Sequence, residues 1–467
     1  MDMIPDDVLL SIFDFCADEE EEQQKMVWET LVHVCRRWRS LVFGSPRSLN
    51  LQLICTSGTS ARNMLDVWPP LPLCILSYWS SPNVDNIIAL LEHKNRVCQI
   101  HISHISSLDL ERVLAMMQEP FPELTRLALL RNEITTAVLP DSFLGGSAPR
   151  LRELELQDIP SPGLPKLLLS ATHLTHLQLF GIPHSGYLSP EAMATALSTL
   201  TSLEVLTLRF LSPLSLPDRA SRRLPPPTCI FLPVLITFWF KGVSEYLDDL
   251  VVRIDAPLLK TLDITFFNQV LFDTPQLVQF VSRTSALKAP EKACVIFWDG
   301  NAVVELLSQA SGYRNLSVDI LCQNSDWQVS ALEQVCTSCL PPLYTLEDLY
   351  IYESPYRYSK WQDNIENSLW LELLQPFTAV KNLYLSEEFE SRIMLSLQDL
   401  VGERMAEVLP TLQNIFLEGL DTSGPVQKAS QEFVARRQAS QPIAVSRWDG
   451  REKFEFNCLP AILTHPL

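Results

Sequence analysis

The chain has 467 residues, 47% of them hydrophobic, with 36 basic against 55 acidic side chains and a net charge of −19. That apolar content excludes general disorder, and the acidic balance opposes a phosphate backbone, so no nucleic-acid partner is expected. The 11 cysteines, an odd number scattered through apolar segments, point to reduced thiols in the cytoplasm or nucleus rather than to secretion.

Met1-Asp2 opens without a basic region or a following apolar core, so no signal peptide is expected. Pro5 stands where a helix tolerates it best, in the first turn. Val8, Leu9, Ile12, Phe13 and Cys16 then recur at helical spacing. The acidic run Asp18 to Glu22 reads as a solvated loop. Leu31, Cys35 and Trp38 repeat the helical spacing beside Arg36, Arg37 and Arg39, giving a three-helix module over 1–46. Helices this short cannot bury a full core alone, so apolar surface is left over for a partner.

Apolar-Pro followed by acids, then Leu9-x-x-Ile12-Phe13, then Val34-Cys35-Arg36-Arg37-Trp38, resembles an F-box. The resemblance implies docking to a Skp-type adaptor and through it to a cullin–RING ubiquitin ligase. Ile4, Pro5, Leu9, Ile12, Phe13, Leu31, Val34 and Trp38 are the residues it assigns to the module and its adaptor contacts. It also makes Cys35 a core residue rather than a nucleophile.

From about residue 47 to 424 one pattern repeats. Leu-x-x-Leu-x-Leu occurs at Leu124, Leu151, Leu174 and Leu203, with variants at Leu235, Leu259, Leu346, Val380 and Leu412 and weaker fits at Leu73 and Val97. The spacing averages roughly 29 residues, within the range of leucine-rich repeats. Two degenerate units are expected between Leu259 and Leu346, near Ala293-Val295-Phe297 and Tyr313-Leu316-Val318. The repeat's usual Asn appears only as Asn132, which predicts irregular turns. The residue eight places after the first Leu (Ile159, Ile182, Leu211, Val243, Leu420) is expected to tuck back into the core.

Helices are predicted over Pro190–Leu200, Thr274–Arg283 and Trp361–Leu374. The run Cys229–Phe240 is too short to span a bilayer and reads as buried strand, so no membrane is expected. The predicted class is therefore α/β: the three-helix module, then a solenoid with parallel strands on its concave side and helices on its convex side. A doubly wound α/β sheet is the competing architecture. The closing stretch Phe433–Trp448 resembles the helix plus strand that ends fungal F-box/leucine-rich repeat chains, and 425–467 is assigned as terminal cap and tail. The whole arrangement resembles the fungal F-box/leucine-rich repeat proteins.

Outward strand positions form the surface on which solenoids bind. Trp239, Asp263, Tyr350, Tyr352, Tyr384 and Phe416 are the candidate contacts for a target protein, with the alternative that these rings pack against neighbouring repeats. The Pro-rich insertion Ser212–Pro227, holding Arg219, Arg222 and Arg223, reads as a solvated excursion. Cys336-x-x-Cys339 has no second pair, and His101 and His104 fall on opposite faces of a strand and its exit, so no metal site is expected. No nucleophile, zinc or phosphate-loop motif occurs, and no cofactor or catalytic residue is predicted. The function expected is a non-catalytic substrate adaptor of an SCF-type (Skp–cullin–F-box) ligase. A repeat scaffold without ligase recruitment and a small-molecule receptor on the same adaptor are the alternatives.

Overall fold

The computed structural model describes residues 4–17, 27–45, 51–56, 60–78, 83–131, 137–213, 229–269, 272–288, 290–298, 300–308, 314–322, 325–340, 343–354, 365–400, 407–419, 425–437 and 442–450. The acidic run 18–22, Asn132, most of the 212–227 insertion, Leu420 and the tail from 451 lie outside them. The chain divides into two units, Met1–Leu177 and Gln178–Leu467.

The first unit opens with three helices, Asp6–Ala17, Val27–Val34 and Arg36–Gly44. Leu9, Phe13, Val32 and Val42 are its buried apolar residues, and the Phe13 ring meets Trp38 edge-on at 4.8 Å. Arg37 pins the entry of the first helix, donating to Asp6 at 2.6 Å and to the Ile4 carbonyl at 2.6 Å. The segment around Cys35 breaks between two helices. Cys35 is extended (φ −158°, ψ 168°), exposed, and caps the third helix by accepting from the Trp38 amide at 3.5 Å. It is a cap and not a core residue, because its thiol satisfies an amide that has no partner within the helix. Parallel strands Leu53–Thr56, Leu73–Ser77, Val97–Ser103, Arg126–Leu130 and Glu153–Gln157 follow.

In the second unit every remaining predicted repeat supplies a strand. Val205–Phe210, Thr237–Gly242 and Thr261–Phe266 pair in parallel, as do Asp348–Glu353, Asn382–Leu385, Asn414–Leu417 and Ala444–Arg447. The repeat sets the register by one recurring bond. The amide after the motif's first apolar residue donates to the carbonyl at the equivalent place one repeat earlier, as in Ile236 to Glu204, Lys260 to Ile236 and Gln413 to Lys381, each 2.8 Å. Helices Pro190–Leu197, Pro275–Arg283 and Asn367–Leu374 stand where helices were predicted. Capping passes between repeats too. Buried Asp248, on the helix Ser244–Val251, accepts from the amides of Gln276 and Leu277 at 2.8 and 2.9 Å, closing the start of the next helix.

Three further expectations change. Cys229–Phe240 is not one strand but two, Ile230–Phe231 and Thr237–Gly242, because Pro233 lacks the amide a continuing ladder needs. Leu211 does not tuck inward; it is 39% exposed. The largest change lies between Leu259 and Leu346. In place of two parallel units the chain forms a meander of Lys292–Trp298, Asn301–Leu307 and Arg314–Leu321, paired antiparallel. Two residues separate the first two strands, far too few for the crossover a parallel pair needs. The order is also reversed: Arg314–Leu321 lies beside Thr261–Phe266, and Lys292–Trp298 beside Asp348–Glu353. Three alternating strands leave both outer ones parallel to their neighbours, so the sheet of this unit continues on either side.

Candidate binding surfaces

In the N-terminal helices, Ile4, Val8, Ile12 and Val34 are 38%, 44%, 45% and 49% exposed. Ile4, Val8 and Ile12 recur every four residues and so lie along one side of the first helix and its entry. Pro5 is also exposed, while Leu31 and Trp38 are half-buried. The eight residues assigned to the module therefore split. Leu9 and Phe13 hold it together, and Ile4, Pro5, Ile12 and Val34 are presented on its surface.

Paired residues of neighbouring strands point to the same face, so the register writes out the second unit's open face, the one away from its helices, row by row. One row runs Thr207, Trp239, Asp263, Ser317, Glu305, Cys294, Tyr350, Tyr384 and Phe416. The next runs Arg209, Lys241, Thr265, Asp319, Val303, Ile296 and Tyr352. The opposite face, with Phe240 and Phe297, packs on the helices through Tyr246, Trp370 and Phe389.

The C-terminal part of the open face is closed by its own side chains. Tyr350, Tyr384 and Phe416 stack nearly parallel, 4.2 Å and 4.5 Å apart. Trp448 leans over them at 6.0 Å from Tyr350 and 5.8 Å from Tyr384. Together with Cys294, Ile296, Val303, Leu307 and Tyr352 they make a second core on this face. Tyr350 and Tyr352 are 1% and 0% exposed, which corrects the expectation that they stand on a solvated face. Tyr384, Phe416 and Trp239 are half-buried. An amide ladder flanks the stack: Asn414 donates to Asn382 at 2.8 Å, and Asn382 to Asp348 at 2.7 Å.

Towards the middle the face becomes ionic. Arg314 bridges Asp263 at 2.7 Å and Glu305 at 2.8 Å. Asn301 donates to both Asp319 oxygens at 3.0 Å. Burial, then the Asp263 charge, pushes the Asp319 carboxyl up to about 7; burial likewise raises Glu305. Asp263 is thus tied into an ion pair. Sequence reasoning missed Arg209, Arg314, Glu305 and Asp319; strand alternation at Leu206–Leu208 and Leu316–Val318 carried a signal for Arg209 and Asp319.

Two pairs singled out in the sequence remain, Cys336/Cys339 and His101/His104. Cys336 and Cys339 are buried at the end of the helix Ser325–Ser338, and burial raises both thiols, Cys339 to about 12. His101 packs on Tyr78 at 4.3 Å and burial lowers it to about 4, while His104 is exposed. Among the described residues no group of three or more His, Cys, Asp or Glu is placed to hold a metal, and no helix is long and apolar enough to cross a membrane.

No protein-family model matches the chain, and no curated protein matches it. Among solved structures it is similar to the leucine-rich repeat-containing protein LegL7 from Legionella pneumophila, at 13% identity and a TM-score of 0.27, over 83% of this chain and 98% of that one. The assignment of a mixed α/β fold with stacked, largely parallel repeat strands rests on the strand register itself.

Proposed function

We propose that the chain is a non-catalytic substrate adaptor, its N-terminal helices docking a Skp-type partner of a cullin–RING ligase and its repeats holding a target protein. The observation that carries this reading is the exposed apolar stripe Ile4, Val8 and Ile12, with Val34 exposed on the second helix, on a module whose buried apolar residues are Leu9, Phe13, Val32 and Val42. Side chains of this kind left in water cost solvation, and burying one fully is worth roughly 1.5–3 kcal/mol. Ile4 and Ile12 of the stripe, with exposed Pro5 and Val34, are F-box-like residues, and the ubiquitin transfer itself would come from proximity supplied by other subunits.

The test is co-expression with a Skp-type adaptor followed by size-exclusion chromatography. A one-to-one complex is expected from the wild type. Recovery of both proteins separately, with the chain folded, would sink the reading and leave a repeat scaffold. Trp38→Ala is a poor control, since that ring packs on Phe13 and its loss would damage the module's interior. Ile12→Asp and Val34→Asp act on exposed positions and report docking alone.

A further inference from the structure

On the open face of the second unit, Arg209 and Lys241 sit directly opposite one another on adjacent parallel strands. Both are half-buried. The acids nearby are already engaged: Asp263 and Glu305 with Arg314, and Asp319 with Asn301. Among the described residues neither Arg209 nor Lys241 has a carboxylate within ion-pair distance, although Asp263 and Asp319 act on them from further away. What each has is an aromatic brace. The Arg209 guanidinium lies 5.5 Å from the Phe180 ring centre and the Lys241 ammonium 5.7 Å from that of Phe267. Burial and the neighbouring Arg209 charge lower the Lys241 ammonium, against a smaller opposing pull from Asp319. One residue pair along the same strands, Thr207 is fully buried with an unpartnered hydroxyl, and Thr265 lies beside Lys241 in register.

Two adjacent, partly desolvated cations with no carboxylate in direct contact cost stability, and such a cost persists where a ligand repays it. An arginine offers a planar two-toothed donor and a lysine a point charge; a phosphate carries close to two negative charges at neutral pH and three acceptor oxygens. We infer that Arg209 and Lys241 form a binding site for the phosphate of a monoester, presented on the open face between the Phe180 and Phe267 rings. The ester is either a phosphorylated side chain of a bound protein or a small free phosphate ester, and both use the same two cations. The site does not depend on adaptor docking by the N-terminal helices, and its test uses the full chain alone.

The thermal midpoint of the full chain is measured in inorganic phosphate and in chloride at equal ionic strength. The wild type is expected to rise in phosphate, and Arg209→Gln/Lys241→Gln to lose that rise, with an apparent affinity at least about tenfold weaker. In chloride the double variant should melt at or above the wild-type temperature, since it relieves a like-charge contact; Arg209→Lys, which keeps the charge and loses the fork, should lie between. Arg150→Gln, at an exposed pair with Glu123, should respond like the wild type. A phosphoserine peptide that binds more tightly than inorganic phosphate and O-phosphoserine identifies a protein-borne group; equal affinity identifies a small ester. An equal phosphate response in wild type and double variant, no response in the wild type, or a double variant less stable in chloride would each overturn the site.

Discussion

Arg314 neutralises two carboxylates at once, and Glu305, 5% exposed, has no other cation against it among the described residues. Removing the arginine alone leaves that charge buried, which costs about 3–5 kcal/mol. Arg314→Leu should therefore lower the urea midpoint sharply, and adding Glu305→Gln and Asp263→Asn should restore much of it; a triple variant no better than the single would contradict the pairing. Asp319 gives a second test at this scale. Its folded-state carboxyl titrates near 7 against an ordinary value of 3.8, with Asp263, Lys241, Arg314 and Asn301 around it. A raised acid binds its proton more tightly when folded, so its contribution is full below about pH 4 and is lost as pH rises through 7. The loss is on the order of 4 kcal/mol. Asp319→Asn should flatten the fall in stability between pH 5 and 8 in urea melts, and an unchanged slope would refute the assignment. None of these partners is legible in sequence, because Glu305 and Arg314 meet Asp263 only through the reversed order of the meander.

At the scale of elements, the repeats were legible because alternation along a strand is local: Leu206 and Leu208, or Leu383 and Leu385, turn one way whatever lies beside them. Spatial order is not local, and nothing in Ala293–Phe297 or Leu316–Val318 states which strand comes first. The short link was the available signal. Gly300 sits in it at φ +80°, in an Asp-Gly dipeptide of the kind that closes hairpins. Gly300→Ala should cost roughly 1–2 kcal/mol and speed amide exchange in Lys292–Leu307 first. Exchange that rises uniformly across the second unit would argue against a local hinge in the meander. The cover of the aromatic stack is not local either: Trp448, which lies over Tyr350 and Tyr384, follows the strand Ala444–Arg447. The sequence therefore leaves open whether these rings face a target or pack against neighbouring repeats, and the structure packs them. Trp448→Ala should destabilise the second unit by about 3–5 kcal/mol in denaturant. A change below 1 kcal/mol would mean that the ladder is a free surface after all.

For the whole molecule, a charge of −19 sets a field that repels anions, so any phosphate site must work through short-range bonds rather than steering. The same field favours basic partners, and the exposed apolar residues of the N-terminal helices give another protein area to bury. That module was largely legible: the order Ile4-Pro5, Leu9, Ile12-Phe13, Val34 to Trp38 placed its helices. Its division into inner and outer residues was not, since Cys35 and Val34 are turned outward by a helix break that periodicity alone does not reveal. An adaptor docked on this module would cover that outer stripe. The decisive measurement is the affinity of a purified Skp-type adaptor for the full chain and for Ile12→Asp, with circular dichroism to show that both are folded. Binding by the wild type, weakened at least about 100-fold in the variant, is the predicted result. Equal binding by both, or none by the folded wild type, would contradict the adaptor reading.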